Sequence, residues 1–577
     1  MRKKLQIVIG FATVLGSSAV AAELKYRERF SRLLIDSAPG LLETFDAETG
    51  HFGRGVWICR DQDVMWPLAV IYTLDVPGNP YHRSPELLET LMKAGDALIA
   101  DADPQGRWVF RKKDNSTWGM IHMPWTYSRW IRTFELIRDD MPPERRAAWE
   151  KALLNGYGNI AKTALGSVHN IPAHHAMGLY IAGKTLDRPA WREQAAEFLR
   201  KVAKSQSPNG YWSEGEGPVV NYNFVYVDAL GTYYALSGDK AVLPALERAS
   251  AFHRNFTYPD GNCVETIDQR NPFHAGVNQA NLGFTFDPVG RAYLASQWAH
   301  VKDKEFKPDL LASLVRYGQE GPMEPADGQG ARTYVLTEGD VERAMTLRQG
   351  PWFVCLSAFT SPVSRNRWYQ DRQNLVSIFH DKTGLIIGGG NTKLQPAWSN
   401  FTVGDTSLLA HKPGDTNPNF VPAGELYHVP SQATLVREPV PGLDLKYGPQ
   451  TCRIRVEIQD DQTLDLVVST STPGALPVAA HVTLLPRMGQ EVRTVAGHAF
   501  KLGGDRVELT PEQIGGAIQY AGCTLRLPAE AGLCWPALPH NPYVLDGRAK
   551  PEEGRISLRL PFAPDRTEHR VSLKIGP

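Results

Sequence analysis

The stretch SEGEGPVVNYNFVYVDAL, residues 213–230, sets two carboxylates among glycines and then two phenols. Glu214 and Glu216 precede a run in which Tyr222 and Tyr226 stand four apart, a spacing that puts both rings on one face of a helix. Tyr226, deeper in the run, suits packing. Tyr222, nearer the glycine loop, suits the rim of a cleft, where a phenol can move a proton. HNIPAHHAMG, residues 169–178, crowds His169, His174 and His175 around Asn170. Imidazole is the commonest proton-transfer group near neutral pH. The glutamate of H-E-x-x-H is missing, so the cluster reads as proton transfer rather than zinc binding. VETIDQRNPFHAGVNQAN, residues 264–281, places Asp268, Arg270, Asn271 and His274 in one polar turn. Arg270 there suits holding a carboxylate or lowering the pKa of a nearby tyrosine.

Nine of the fourteen tryptophans fall within residues 57–212, several beside charge, as in CRDQDVMW, GRWVFRKKDN and MPWTYSRW. Rings next to Arg and Asp suit carbohydrate: sugar C–H faces pack on the ring while hydroxyls find polar partners. Arg60, Trp66, Trp125, Trp212, Glu216, Tyr226, Asn271 and His274 are expected to line such a cleft. Trp149 and Trp191 fall on helix faces and read as core.

Up to about residue 320 these groups must be positioned by helices. RSPELLETLMKAGDALI has Ser84 as N-cap and Pro85 at the first helical position, with Leu87, Leu88, Leu91 and Leu98 as its apolar face. MPPERRAAWEKALLNGYGNIAKTAL and DRPAWREQAAEFLRKVAKS follow the same formula. Glycine turns at Gly50, Gly106, Gly156, Gly210 and Gly261 recur at spacings of 56, 50, 54 and 51 residues, room for a two-helix hairpin each time. A period of that size predicts a solenoid or closed ring, here an α/α toroid over residues 23–321. After a linker at 322–330 the texture changes. RISLRLPF, HRVSLKIG and TLDLVVSTST carry strand patterns between frequent Pro and Gly, which predicts an antiparallel β-sandwich over 331–577.

Bulk properties narrow the partners. The 62 basic and 62 acidic residues cancel, so whole-chain charge gives no argument for nucleic acid. Arg2, Lys3 and Lys4, then LQIVIGFATVLG, then SSAVAAE read as a secretory signal peptide over 1–22, too short to span a membrane. A periplasmic or secreted protein is expected, with no membrane or nucleic-acid partner. The six cysteines show no C-x-x-C spacing, and Cys523 with Cys534 is the most local disulfide candidate.

Together the clusters resemble polysaccharide lyases built from an α/α toroid and a C-terminal antiparallel β domain, the group of the chondroitin AC and hyaluronate lyases, heparinases II and III and toroid alginate lyases. The resemblance spans nearly all of the mature chain. NGYW leading to Tyr222, then NFVYV and Asp228-Ala229-Leu230, is similar to the turn, catalytic tyrosine and apolar helix of the chondroitin-type enzymes. Asn170 lies 52 residues before Tyr222 and Arg270 48 after it, close to the family's intervals. The resemblance implies β-elimination on a uronic-acid glycan with no metal or organic cofactor. Asn170 would neutralise the uronate carboxylate, with Tyr222 and His174 or His175 moving protons beside Arg270. The histidine those lyases carry just before the tyrosine is absent, and Glu214 and Glu216 occupy its region. A β-domain histidine such as His380 is a further possibility for the base. The rival reading is an inverting glycoside hydrolase pairing Glu214 or Glu216 with Asp61 or Asp63, which requires carboxylates about 6.5–9.5 Å apart.

Overall fold

Proline opens most of the helices, as the sequence predicts. The computed structural model describes residues 22–272, 276–324, 331–409 and 424–576. The expected signal peptide falls almost wholly outside these, as does most of the expected linker. The helices are α1 (Arg27–Leu42), α2 (Met65–Thr73), α3 (Pro85–Asp101), α4 (Pro124–Ile137), α5 (Pro143–Thr163), α6 (Asn170–Thr185), α7 (Pro189–Lys204), α8 (Val220–Ser237), α9 (Leu243–Asn255), α10 (Pro288–Ala299) and α11 (Pro308–Tyr317). α2, α4, α6 and α8 pack on one another in sequence, and α11 packs on α2 and α1, so the run curls back on itself. These inner helices are largely buried, and in α2 every residue from Met65 to Tyr72 is. A helix without a polar face belongs inside a ring of others. α3, α5, α7 and α9 form the outer layer, with polar faces toward water.

Four of the five predicted glycine turns share one geometry. The residue three or four before each glycine accepts from the glycine N–H and donates to the carbonyl just after it: Asp46 about Gly50, Asp103 about Gly106, Ser207 about Gly210 and Tyr258 about Gly261. Each of these glycines has φ between 74° and 87°, where a Cβ is penalised. Gly156 is different. It lies inside α5, and a Cβ there would sit 2.0 Å from the Tyr127 hydroxyl oxygen. Its role is close packing of α5 over α4, not a turn.

The C-terminal region is two antiparallel sheets, of eleven and nine strands among the described residues. The strand Trp352–Ser357 is buried along its whole length. Trp352, Val354 and Leu356 face the second sheet, whereas Phe353 and Cys355 join the core of the helical ring. One sheet is therefore the middle layer of three, which explains its unbroken apolar strands. Cys523 and Cys534 lie in different sheets, and all six cysteines are free thiols, five of them buried.

Candidate active site

The first turns of the inner helices meet on one rim, held by side-chain contacts. Thr126 in α4 donates to Asp63, just ahead of α2, at 2.7 Å. Arg129 in α4 forks onto Asp309 in α11 at 2.8 and 2.6 Å. Unpaired N–H groups and the positive ends of helix dipoles at such a rim favour an anion.

Neither α6 nor α8 has a local side-chain cap; both borrow one from far along the chain. The Asn170 backbone N–H and its side-chain Nδ2 donate to one oxygen of Glu214, at 2.9 and 3.0 Å. That oxygen also accepts the Tyr226 hydroxyl. The other oxygen lies 3.8 Å from Arg270 Nη1 and 3.8 Å from His169 Nδ1. Glu214 is only 4% exposed, so its charge is held by these donors rather than by water. Burial and the adjacent carboxylate push the Tyr226 phenol well up, which keeps it a donor. Its ring stacks on Trp212 with centroids 4.9 Å apart. Tyr226 and Trp212, both expected to line the cleft, are instead buried behind Glu214 and hold it in place.

Asp268 caps α8. One of its oxygens accepts from Val220 N–H at 2.8 Å, while the other accepts from the N–H groups of Arg270 and Asn271 at 2.7 and 3.0 Å. One carboxylate thus locks the helix of Tyr222 to the loop of Arg270. That loop is clamped between the two regions of the chain. Ile267 O accepts from Arg372, Asp268 O from Asn391, and the Gln269 carbonyl from the backbone N–H of Gln370. The result places the Arg270 guanidinium 4.5 Å from the Tyr222 ring centre. The Tyr222 hydroxyl meets that of Tyr543 at 3.5 Å, and Tyr543 donates to Asn271 Oδ1 at 3.1 Å. The sequence led us to expect that arginine would lower the Tyr222 pKa. Arg270 does pull it down, but burial outweighs it and the net shift is upward. Tyr222 is therefore a phenol, not a phenolate, in the free cleft.

The histidines separate sharply. His174 and His175, expected to move protons, point into the helical core at 1% and 5% exposure. His174 Nε2 meets Ser128 Oγ at 3.0 Å and Arg129 at 3.1 Å. Burial, with Arg129 adding to it, holds His174 well below its usual pKa, and burial takes His175 to about 3. Both stay neutral and are shut off from solvent. His169, one residue before α6, is the histidine at the rim, its side chain 50% exposed. His380 is occupied elsewhere, against Asp461 O and the Trp352 ring.

The other expected lining residues divide similarly. Trp66 is fully buried, donates to Ser313 and lies under Arg132, so it is core. Trp125 stays half-buried beneath the exposed Arg60, 5.1 Å from ring centre to guanidinium. Glu216 is exposed, and its backbone is held by Gln269 and Arg372. Asn271 is half-buried in the Tyr543 contact, and His274 lies outside the described residues. Tyr543 and Trp368 come from β-region loops more than 80 residues beyond the last sequence cluster, and no local signal marks them. Among the described residues no group of His, Cys, Asp and Glu is arranged to hold a metal.

No protein-family model matches the chain, and no curated protein matches its sequence. Among solved structures, heparinase III aligns with all of this chain and 88% of its own at 12% identity and a TM-score of 0.55. Heparan sulfate lyase from Pedobacter heparinus, in mutant form, aligns at 13% identity and 0.46 over 94% of this chain and 82% of that one. Chondroitin AC lyase from Streptomyces coelicolor, also a mutant, aligns at 12% and 0.44 over 96% and 97%. The last two scores are too low to add weight. The first shows the fold, an α/α toroid followed by an antiparallel β domain, as one shared with heparinase III.

Proposed function

We propose that the protein is a polysaccharide lyase that cleaves a uronic-acid glycan by β-elimination, leaving a 4,5-unsaturated uronate end. The observation that carries this reading is the linked set Asn170–Glu214–Arg270–Tyr222, gathered at a rim of helix N-termini. The C5 proton of a uronate is weakly acidic, and its removal places a second negative charge on the carboxylate. Groups fixed in advance around that charge lower the barrier most. The second N–H of Asn170 Nδ2, Arg270 and the helix ends supply such an environment, while Glu214 holds the first two in place from behind.

His169 takes the C5 proton. The electron pair forms the C4–C5 double bond as the C4–O bond breaks, and the Tyr222 hydroxyl protonates the departing oxygen. No water is consumed. This division follows from the raised pKa of Tyr222, which suits an acid better than a base. The hydrolase reading draws less support. One oxygen of Glu214 takes three donors, Asp61 is paired with Lys113 at 2.6 Å, and Asp63 is engaged by Thr126. In the same reading the substrate is an acidic polysaccharide, and export is inferred from the basic start and apolar run at the N-terminus. Incubation with uronate glycans tests the proposal: the conjugated alkene product absorbs in the ultraviolet, and a hydrolytic product does not.

A further inference from the structure

The rim beside Tyr222 is walled off. A two-stranded hairpin of the helical region, Trp108–Arg111 paired with Thr117–Ile121, reaches across to two loops of the β region. Lys112 at its turn donates to the Tyr543 carbonyl. Trp118 packs on Trp368 with centroids 5.2 Å apart, and Trp368 packs on Tyr543 at 5.9 Å. Cations alternate with these rings: Lys112 lies 4.8 Å over Trp118, Arg367 5.3 Å over Trp118 and 5.4 Å over Trp368, and Arg270 5.3 Å over Trp368. The stack thus runs without a break from the hairpin to Tyr222, whose ring lies under the same Arg270. The loops behind it are anchored. Arg367 donates to Val544 O at 2.7 Å, and the buried Lys393 contacts both Asp371 and Ser364.

We propose that this stack is a closed end of the cleft, a terminal subsite that admits one chain end of an anionic glycan and makes cleavage exolytic. The proposal rests on the lyase reading for its substrate class. A long polymer threading past Tyr222 in both directions would have to break the contact between hairpin and β loops. A chain end meets instead half-buried ring faces and two cations, Lys112 and Arg367, which donate to the carbonyl oxygens of Tyr543 and Val544. Aromatic faces take sugar C–H surfaces, and a close pair of cations favours a carboxylate or sulfate on the terminal residue. Desolvation lowers the pKa of both cations, and at Lys112 the nearby Arg367 adds to it while Asp114 opposes it.

The test reads chain length. Hyaluronan, chondroitin, heparan sulfate and alginate of narrow length distribution are incubated with the full protein, and early time points of the one degraded are resolved by size-exclusion chromatography. The expected pattern is persistence of starting-length polymer alongside accumulating small products. Lys112→Ala with Trp118→Ala should open the end and yield products of intermediate length. Arg367→Gln should raise KM roughly tenfold for short oligosaccharides with an anionic terminus, the loss of one charge-assisted contact. A wild-type-only arm guards against misfolding of the variants: blocking the admitted chain terminus with a bulky fluorophore should stop degradation. Intermediate lengths from wild type at early times, or cleavage of a polymer blocked at both ends, would overturn the closed end. Length and unsaturation report separately. End-only release without ultraviolet absorbance would sink the lyase chemistry and keep the subsite, and unsaturated products of every length would do the reverse.

Discussion

The backbone and side-chain nitrogens of Asn170 both donate to a single oxygen of Glu214, at 2.9 and 3.0 Å. That oxygen also accepts the Tyr226 hydroxyl. Glu214 is therefore a positioning residue: it caps α6 and fixes the Asn170 amide, which we propose faces the substrate. Glu214→Gln keeps an acceptor oxygen, so the variant should fold and retain part of its activity. Glu214→Ala leaves buried donors unpaired, at about 1–3 kcal/mol each, and should lower both melting temperature and kcat. Equal activity in the Gln and Ala variants would contradict this role.

Tyr222 and Tyr226 share a helix face but not their surroundings: Tyr226 donates to the buried Glu214, whereas Tyr222 meets Tyr543. Tyr222→Phe should leave the fold intact and lower kcat about 10²–10⁴-fold, the usual share of one proton-transfer group. Tyr226→Phe should mainly cost stability, about 1–2 kcal/mol for the lost bond to a charged acceptor. Thermal unfolding and kcat measured on both variants separate these roles.

His169→Ala should impair turnover with little change in melting, whereas His174→Ala should do the opposite. A further consequence is pH dependence. Burial depresses His174, and takes His175, His253 and His481 to about 3. Between that value and the unfolded histidine pKa of about 6.5 the unfolded chain binds more protons, so stability falls as pH falls through that window. Each histidine contributes at most about 1.4 kcal/mol per pH unit. Asp63, Asp228 and Asp287 shift the other way, raised by burial. They favour the folded state once protonated and offset part of the loss at the acid end. Denaturant melts between pH 7.5 and 5 should show the decline; a flat profile would contradict the burial of these rings.

Gly156 and Gly158 offer an internal control within α5. Gly156→Ala drives a Cβ to 2.0 Å from the Tyr127 hydroxyl oxygen and should destabilise by more than about 2 kcal/mol. Gly158→Ala meets nothing closer than 3.9 Å and should stabilise by about 0.5–1 kcal/mol. Chemical denaturation of the two variants checks the contrast.

The sequence revealed the helical ring, because proline starts, apolar stripes and positive-φ glycines are local signals. It misread Gly156 because a packing glycine and a turn glycine look alike in one dimension. The histidine assignment failed for a related reason. The N-terminus of α6 is capped by Glu214, 44 residues away, and that of α8 by Asp268, 48 residues away. Without a local cap the start of α6 at Asn170 is not visible. Once it is known, His174 and His175 lie about one turn inward, and His169 is left outside. Trp66 and Trp212 sit near charged residues in sequence yet fill the core, since neighbours in the chain need not share a helix face. Tyr543 and Trp368 enter only through docking of the two regions.

The central claim is elimination by Tyr222. The most direct measurement is ultraviolet absorbance of the products from uronate glycans, run in isotopically labelled water with Tyr222→Phe alongside. The account predicts an unsaturated product without solvent oxygen from the native protein, and near loss of that product in the variant. New reducing ends carrying solvent oxygen without ultraviolet absorbance, or an unimpaired Tyr222→Phe, would contradict it.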